Sequence, residues 1–125
     1  MPLECAVNGD TQSRRYAVGL AADPGTNTVA VATQYWPGGG VALINGATFT
    51  VTSVDLLEPQ YAVGIDVSTG IYYSEGIGDL NAVNAHTSAA GQLATFPCPL
   101  PMQCGAAPNE LGVDSTLHVI YGSFE

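Results

Sequence analysis

The feature that most constrains this chain is alternation. Short runs rich in β-branched and aromatic residues recur along it, each cut off by Gly, Pro, Asn or Asp. Residues 16–22 and 28–36 read as strands on either side of an Asp23-Pro24-Gly25 turn. Residues 41–44 and 47–54 read as a hairpin about Asn45-Gly46, the strongest short turn signal available. Residues 60–67 and 71–75 make another hairpin about Ser68-Thr69-Gly70, and 112–124 reads as a closing strand. The run Trp36-Pro37-Gly38-Gly39-Gly40 is expected to be a loop, since it offers few side chains to pack and lacks one amide donor.

Two stretches depart from the β pattern. Residues 79–93 carry alanines at 82, 85, 89 and 90, and read either as a short helix capped by Asp79 or as an irregular loop. Residues 96–110 hold the densest prolines of the chain and no periodicity, which predicts a long proline-rich loop. Residues 1–15 read as an extended N-terminal arm ahead of a single β domain over 16–125. The expected fold is therefore all-β, a small sandwich or Greek-key barrel with that arm and that loop. Tyr16-Ala17-Val18-Gly19-Leu20 echoes Tyr61-Ala62-Val63-Gly64-Ile65. The echo fits either a duplicated hairpin or a chance recurrence of residues common in strands.

Charge narrows the partners. Eleven acidic residues stand against two arginines and no lysine, for a formal charge of −9. Such a surface repels phosphate backbones and anionic lipid headgroups, so neither nucleic acid nor membrane is an expected partner. No run of apolar residues is long enough for a membrane-spanning helix. The first twenty residues lack the basic start and apolar run of a signal peptide. The chain is accordingly expected to be made in the cytoplasm and used elsewhere, or to be a mature extracellular form.

Candidate chemistry is thin. Asp114, Ser115 and His118 are the residue types of a nucleophilic triad, but on one strand alternation turns Ser115 away from the other two. Glu58, Glu75 and Glu110 are separated in sequence, with nothing local to pair them for glycoside hydrolysis. Cys98 and Cys104 bracket a proline-stiffened segment, where a disulfide would add at most about 2–2.5 kcal/mol. Both the bridge and two reduced thiols remain open for that pair, and Cys5 is left over. Two histidines and three scattered cysteines do not make a metal-ligand spacing. The expectation is a protein that is not an enzyme and takes no cofactor or metal.

Contacts with a partner are expected instead from three places: the arm, with Leu3, Arg14 and Arg15; Trp36 beside its glycine run; and Phe96, Leu100 and Met102 in the proline-rich loop. A carbohydrate-binding sandwich, stacking sugars on Trp36 and on Tyr72 or Tyr73, is the alternative.

The stretch Tyr61-Ala-Val-Gly-Ile-Asp-Val-Ser-Thr-Gly-Ile-Tyr-Tyr resembles the Tyr-rich hairpins of tailed-phage virion proteins. In size, acidity, leading arm and Gly/Ala/Thr-rich β content the whole chain resembles capsid decoration (cement) proteins. That resemblance implies a non-enzymatic homo-oligomer, a trimer by preference, that binds the major capsid protein or another virion protein. It also implies a place on the outer surface of the particle.

Overall fold

The computed structural model describes residues 16–35, 38–56, 58–76, 78–95 and 108–124. These form ten strands: β1 (Tyr16–Asp23), β2 (Thr28–Tyr35), β3 (Gly38–Asn45), β4 (Val51–Leu56), β5 (Gln60–Asp66), β6 (Ile71–Gly76), β7 (Asp79–Asn84), β8 (Ala90–Thr95), β9 (Pro108–Asp114) and β10 (Val119–Phe124). The protein is all-β. Three antiparallel sheets follow one another along the chain, β1-β2-β3-β4, then β5-β6-β7-β8, then β9-β10. Strand order equals chain order in each, so every sheet is a plain meander. No Greek-key crossover and no closed barrel occurs among the described residues.

The sheets lie face to face with the second in the middle. Ala30, Ala32, Val41, Leu43 and Val54 of the first sheet meet Val63, Tyr72 and Val83 of the second, and all eight are buried. On the opposite face of the second sheet, a Cβ on Gly64 would collide with Leu111 and lie 3.0 Å from Val113, so β9 seats directly on β5. The first strands β1, β5 and β9 thus stack side by side. Successive four-stranded meanders packed through equivalent strands are the organisation of propeller blades.

One turn design recurs five times. Each loop has four residues, begins after Asp23, Asn45, Asp66, Asn84 or Asp114, and ends in a residue of positive φ: Asn27, Phe49, Gly70, Ser88 or His118. In each, the leading carboxylate or amide oxygen accepts the amide two residues on, from Gly25, Ala47, Ser68, His86 and Thr116, at 2.9–3.0 Å. An Asp or Asn side chain mimics a backbone turn in this way, and the left-handed last residue lets the next strand return in register.

Three sequence expectations are corrected. Residues 79–93 are neither helix nor loop but the hairpin β7–β8, because β7 pairs with β6 and buries Leu80, Asn81 and Val83, while β8 pairs with β7 as an exposed strand. Gly38, Gly39 and Gly40 open β3 instead of forming a loop. Their bareness is what the sheet needs there: a Cβ on Gly39 would stand 2.7 Å from Pro59 Cα, and one on Gly40 would collide with the Val54 carbonyl. Residues 112–124 are two strands, not one, joined through the turn after Asp114.

Candidate binding groove

The first hairpins of the three sheets repeat more closely than their sequences do. In β1 the pairing skips Val18, in β5 it skips Tyr61, and in β9 it skips Asn109. Each bulge lies five residues ahead of the turn aspartate Asp23, Asp66 or Asp114. A bulge adds one residue to one strand, raises its local twist and re-aims the neighbouring side chains. Three equivalent bulges on three stacked strands therefore open the stack at one level.

A groove of about 260 Å³ lies at that level. It is lined by Val18, Gly19 and Leu20 of β1, Tyr61, Ala62 and Val63 of β5, and Glu110 and Leu111 of β9. Its lining is more polar than apolar, although Glu110 is the one charged side chain among aliphatic residues, glycine and Tyr61. Gly19 sets the spacing, since a Cβ there would stand 3.3 Å from the Tyr61 carbonyl. Each lining strand is also the first of its sheet, with no further strand paired to its outer edge among the described residues.

Beneath the groove runs a buried polar layer. The Ser74 hydroxyl lies 2.7 Å from Gln60 Oε1 and 3.2 Å from the Ala62 carbonyl, while Gln60 Nε2 donates to the Glu58 carbonyl at 2.9 Å. Glu75 pairs with Ala62 across the strands, and its Oε1 stands 2.6 Å from where a Cβ of Gly122 would be. Burial pushes the Glu75 carboxyl up to about 7. Its Oε2 and the Oδ1 of Asp79 are buried with no hydrogen-bond partner among the described residues.

The turns of sheets two and three are clasped together. His118 Nδ1 lies 2.9 Å from Asp66 Oδ2, and the Val67 amide donates to Ser115 Oγ at 3.0 Å. Hydrogen bonds from Ser68 and then from His118 hold the Asp66 carboxyl well below the usual carboxylate range. Asp114 accepts instead from the amides of Thr116 and Leu117. Asp114, Ser115 and His118 thus occupy one turn rather than one strand, and each faces a different partner.

The expected contact residues Leu3, Arg14, Arg15, Trp36, Phe96, Leu100 and Met102, with Cys98 and Cys104, lie outside the described residues. Tyr72, offered as a sugar platform, is fully buried in the core and donates its hydroxyl to the Thr28 carbonyl at 3.3 Å. Tyr73 is half-buried on the face toward the third sheet. Of the three separated glutamates, Glu110 lines the groove, Glu75 is buried and Glu58 is exposed. The groove itself was partly marked by sequence: Val18 to Leu20 and Tyr61 to Val63 fall inside the two echoing pentapeptides. The turn spacing is the better signal, because it also finds Glu110 and Leu111.

No protein-family model matches the chain, and no curated protein matches it. Among solved structures it is similar to a chain of a crystal structure of a nidogen/laminin complex. The TM-score is 0.64 at 10% identity, over 86% of this chain and 39% of that one. The chain thus spans about two-fifths of the length of that structural neighbour, and the likeness is one of fold.

Proposed function

We propose that the chain is a non-enzymatic binding and assembly module, and that it takes an extended segment of a partner protein in the groove across β1, β5 and β9. The observation that supports this is the meeting of three bulged strands, each at the edge of its sheet among the described residues, around a cleft of mixed polar and apolar lining with one carboxylate. An extended peptide satisfies such edges with its main chain and sends alternate side chains into the cleft. The volume is small for a drug-sized ligand and suits one or two side chains. Glu110, on a protein of formal charge −9, favours a segment with Lys or Arg next to an apolar residue. The setting implied by the sequence resemblance is a virus particle, with the chain on the outer surface of the capsid lattice and a capsid or other virion protein as partner.

Selection from a library of random peptides tests the binding mode. Peptides with an apolar residue beside Lys or Arg should be enriched. Glu110→Gln and Tyr61→Ala should each weaken binding about tenfold, roughly 1.4 kcal/mol. A library that yields no binder, or binders indifferent to both substitutions, would overturn the proposal.

A further inference from the structure

Two of the five turns begin with Asn in place of Asp, at Asn45 and Asn84, and of these only Asn45 is followed by glycine. An Asn-Gly pair is the dipeptide most open to deamidation, because no side chain on the glycine shields its amide nitrogen from the Asn carboxamide. In that reaction Gly46 N bonds to Asn45 Cγ, the Cγ–Nδ2 bond breaks, and ammonia leaves with the proton of the Gly46 amide. Solvent water then opens the succinimide ring, giving Asp by attack at one carbonyl and isoaspartate at the other. Asn45 is exposed, so water reaches it. The folded turn nevertheless engages both reacting groups elsewhere. The Gly46 amide donates to the Asn27 carbonyl at 2.7 Å. Asn45 Oδ1 accepts the amides of Ala47 and Thr48 at 2.9 and 3.1 Å, which fixes the carboxamide over the turn. The Asn27 side chain closes over Gly46, where a Cβ would collide with Asn27 Oδ1 and stand 2.8 Å from its Cγ. At the second Asn turn the same link recurs more loosely, from the Ala85 amide to the Gly70 carbonyl at 3.4 Å. Asn27 and Gly70 are both positive-φ residues that end the preceding hairpin's turn.

We propose that Asn45 is a gated deamidation site: its carboxamide is lost only when the β3–β4 turn opens away from Asn27, and the closed turn protects it. A nitrogen whose proton is held by a carbonyl, in a peptide plane pinned against a neighbouring side chain, cannot turn to face Cγ. Reaction of the folded protein therefore passes through a local opening, and its rate is the unfolded rate scaled by the fraction of turns open. The fold also sorts the two products. Asp23, Asp66 and Asp114 fill the leading position of the same turn and accept the same amide, so Asp at 45 keeps the turn and adds one negative charge. Isoaspartate routes the main chain through one more carbon and takes the acceptor out of place, so that product does not rebuild the turn.

Incubation of the whole chain in warm, mildly alkaline buffer, with and without urea, tests this. Chymotryptic peptides carrying residue 45 are followed by mass spectrometry, with fragmentation that separates Asp from isoaspartate. Mapping by peptide keeps Asn8-Gly9, the chain's other Asn-Gly pair, apart. Conversion at Asn45 should be at least about tenfold slower in the native protein than in urea. Asn27→Gly keeps the positive φ at little cost and removes the side chain over Gly46. It should speed native conversion by roughly threefold or more while leaving the rate in urea unchanged. Asn45→Asp, made as the product, should fold and melt close to wild type; thermal melts of both variants check their folding. Equal rates with and without urea would overturn the gate. A native Asn27→Gly rate equal to that of wild type would overturn the part assigned to Asn27, and an Asn45→Asp chain that does not fold would overturn the sorting of products.

Discussion

Leu20 and Val63 hold the same position in two successive sheets, each three residues ahead of its turn aspartate, yet Val63 is 6% exposed and Leu20 72%. Their difference in surroundings predicts a difference in energy. Val63→Ala removes two methyl groups from the core between sheets and should destabilise by roughly 1–3 kcal/mol in urea unfolding. Leu20→Ala, measured on monomeric protein, should stay within about 0.5 kcal/mol of wild type. Equal losses would mean that the two faces are equally covered.

Glu75 gives a pH dependence of definite sign. Its folded-state pKa, about 7, lies above the ordinary value of 4.5, so the native state binds its proton more tightly than the unfolded chain. Its contribution is thus most favourable below pH 4.5 and declines as pH rises toward 7. Glu75→Gln should flatten that decline in melting temperature and stabilise the protein above pH 7, by an amount on the order of 1 kcal/mol. A profile unchanged by the substitution would show that Glu75 is solvated or paired.

Asp66 acts in the opposite direction. Its pKa lies below the ordinary 3.8, so its contribution is present above that value and is lost as pH falls below it. Asp66→Asn keeps the side-chain oxygen that accepts the Ser68 amide while removing the charge that faces His118. The variant should melt lower than wild type at pH 5 and lose less on further acidification. Acid melts of the two proteins check this.

Glycine substitutions should separate by position. Gly40→Ala drives a methyl group into the Val54 carbonyl and should cost more than about 2 kcal/mol or prevent folding. Gly91→Ala meets nothing within 4 Å and should be neutral or stabilising by up to about 1 kcal/mol. Similar losses at both sites would contradict the close approach of β3 and β4.

Phe49 ends its turn at a φ of 58° with its ring 80% exposed. A non-glycine residue there carries a backbone cost of roughly 1 kcal/mol that glycine does not. Phe49→Gly should therefore raise the melting temperature by a few degrees, and a lowered one would mean that the ring makes a stabilising contact.

Much of the β structure was legible because Asp and Asn turn residues punctuate it. Asp23, Asn45 and Asp66 each mark a real turn, flanked by strands of clear alternation. Residues 79–93 were not legible, because alanine and asparagine carry little preference and only the neighbouring sheet decides their state. Glycine misleads at 38–40 for a related reason. It marks a loop when free and a strand when another backbone must come close, and sequence does not show the approaching backbone. The groove was half visible. The echoing pentapeptides contain six of its residues, but Tyr16 precedes Asp23 by two residues more than Tyr61 precedes Asp66, so the echo is out of step with the structural repeat. Aligning on the turns brings Val18, Tyr61 and Asn109 into one register. A bulge is a property of pairing between strands, which is why neither alternation nor composition revealed it.

The most direct test of the binding role is an NMR titration of the chain with a selected peptide, following backbone amide shifts. The account predicts that the largest shifts fall on residues 18–20, 61–63 and 110–111, three stretches distant in sequence and joined only by the groove. Shifts gathered on β4 or β8, or spread evenly over the sheets, would contradict it.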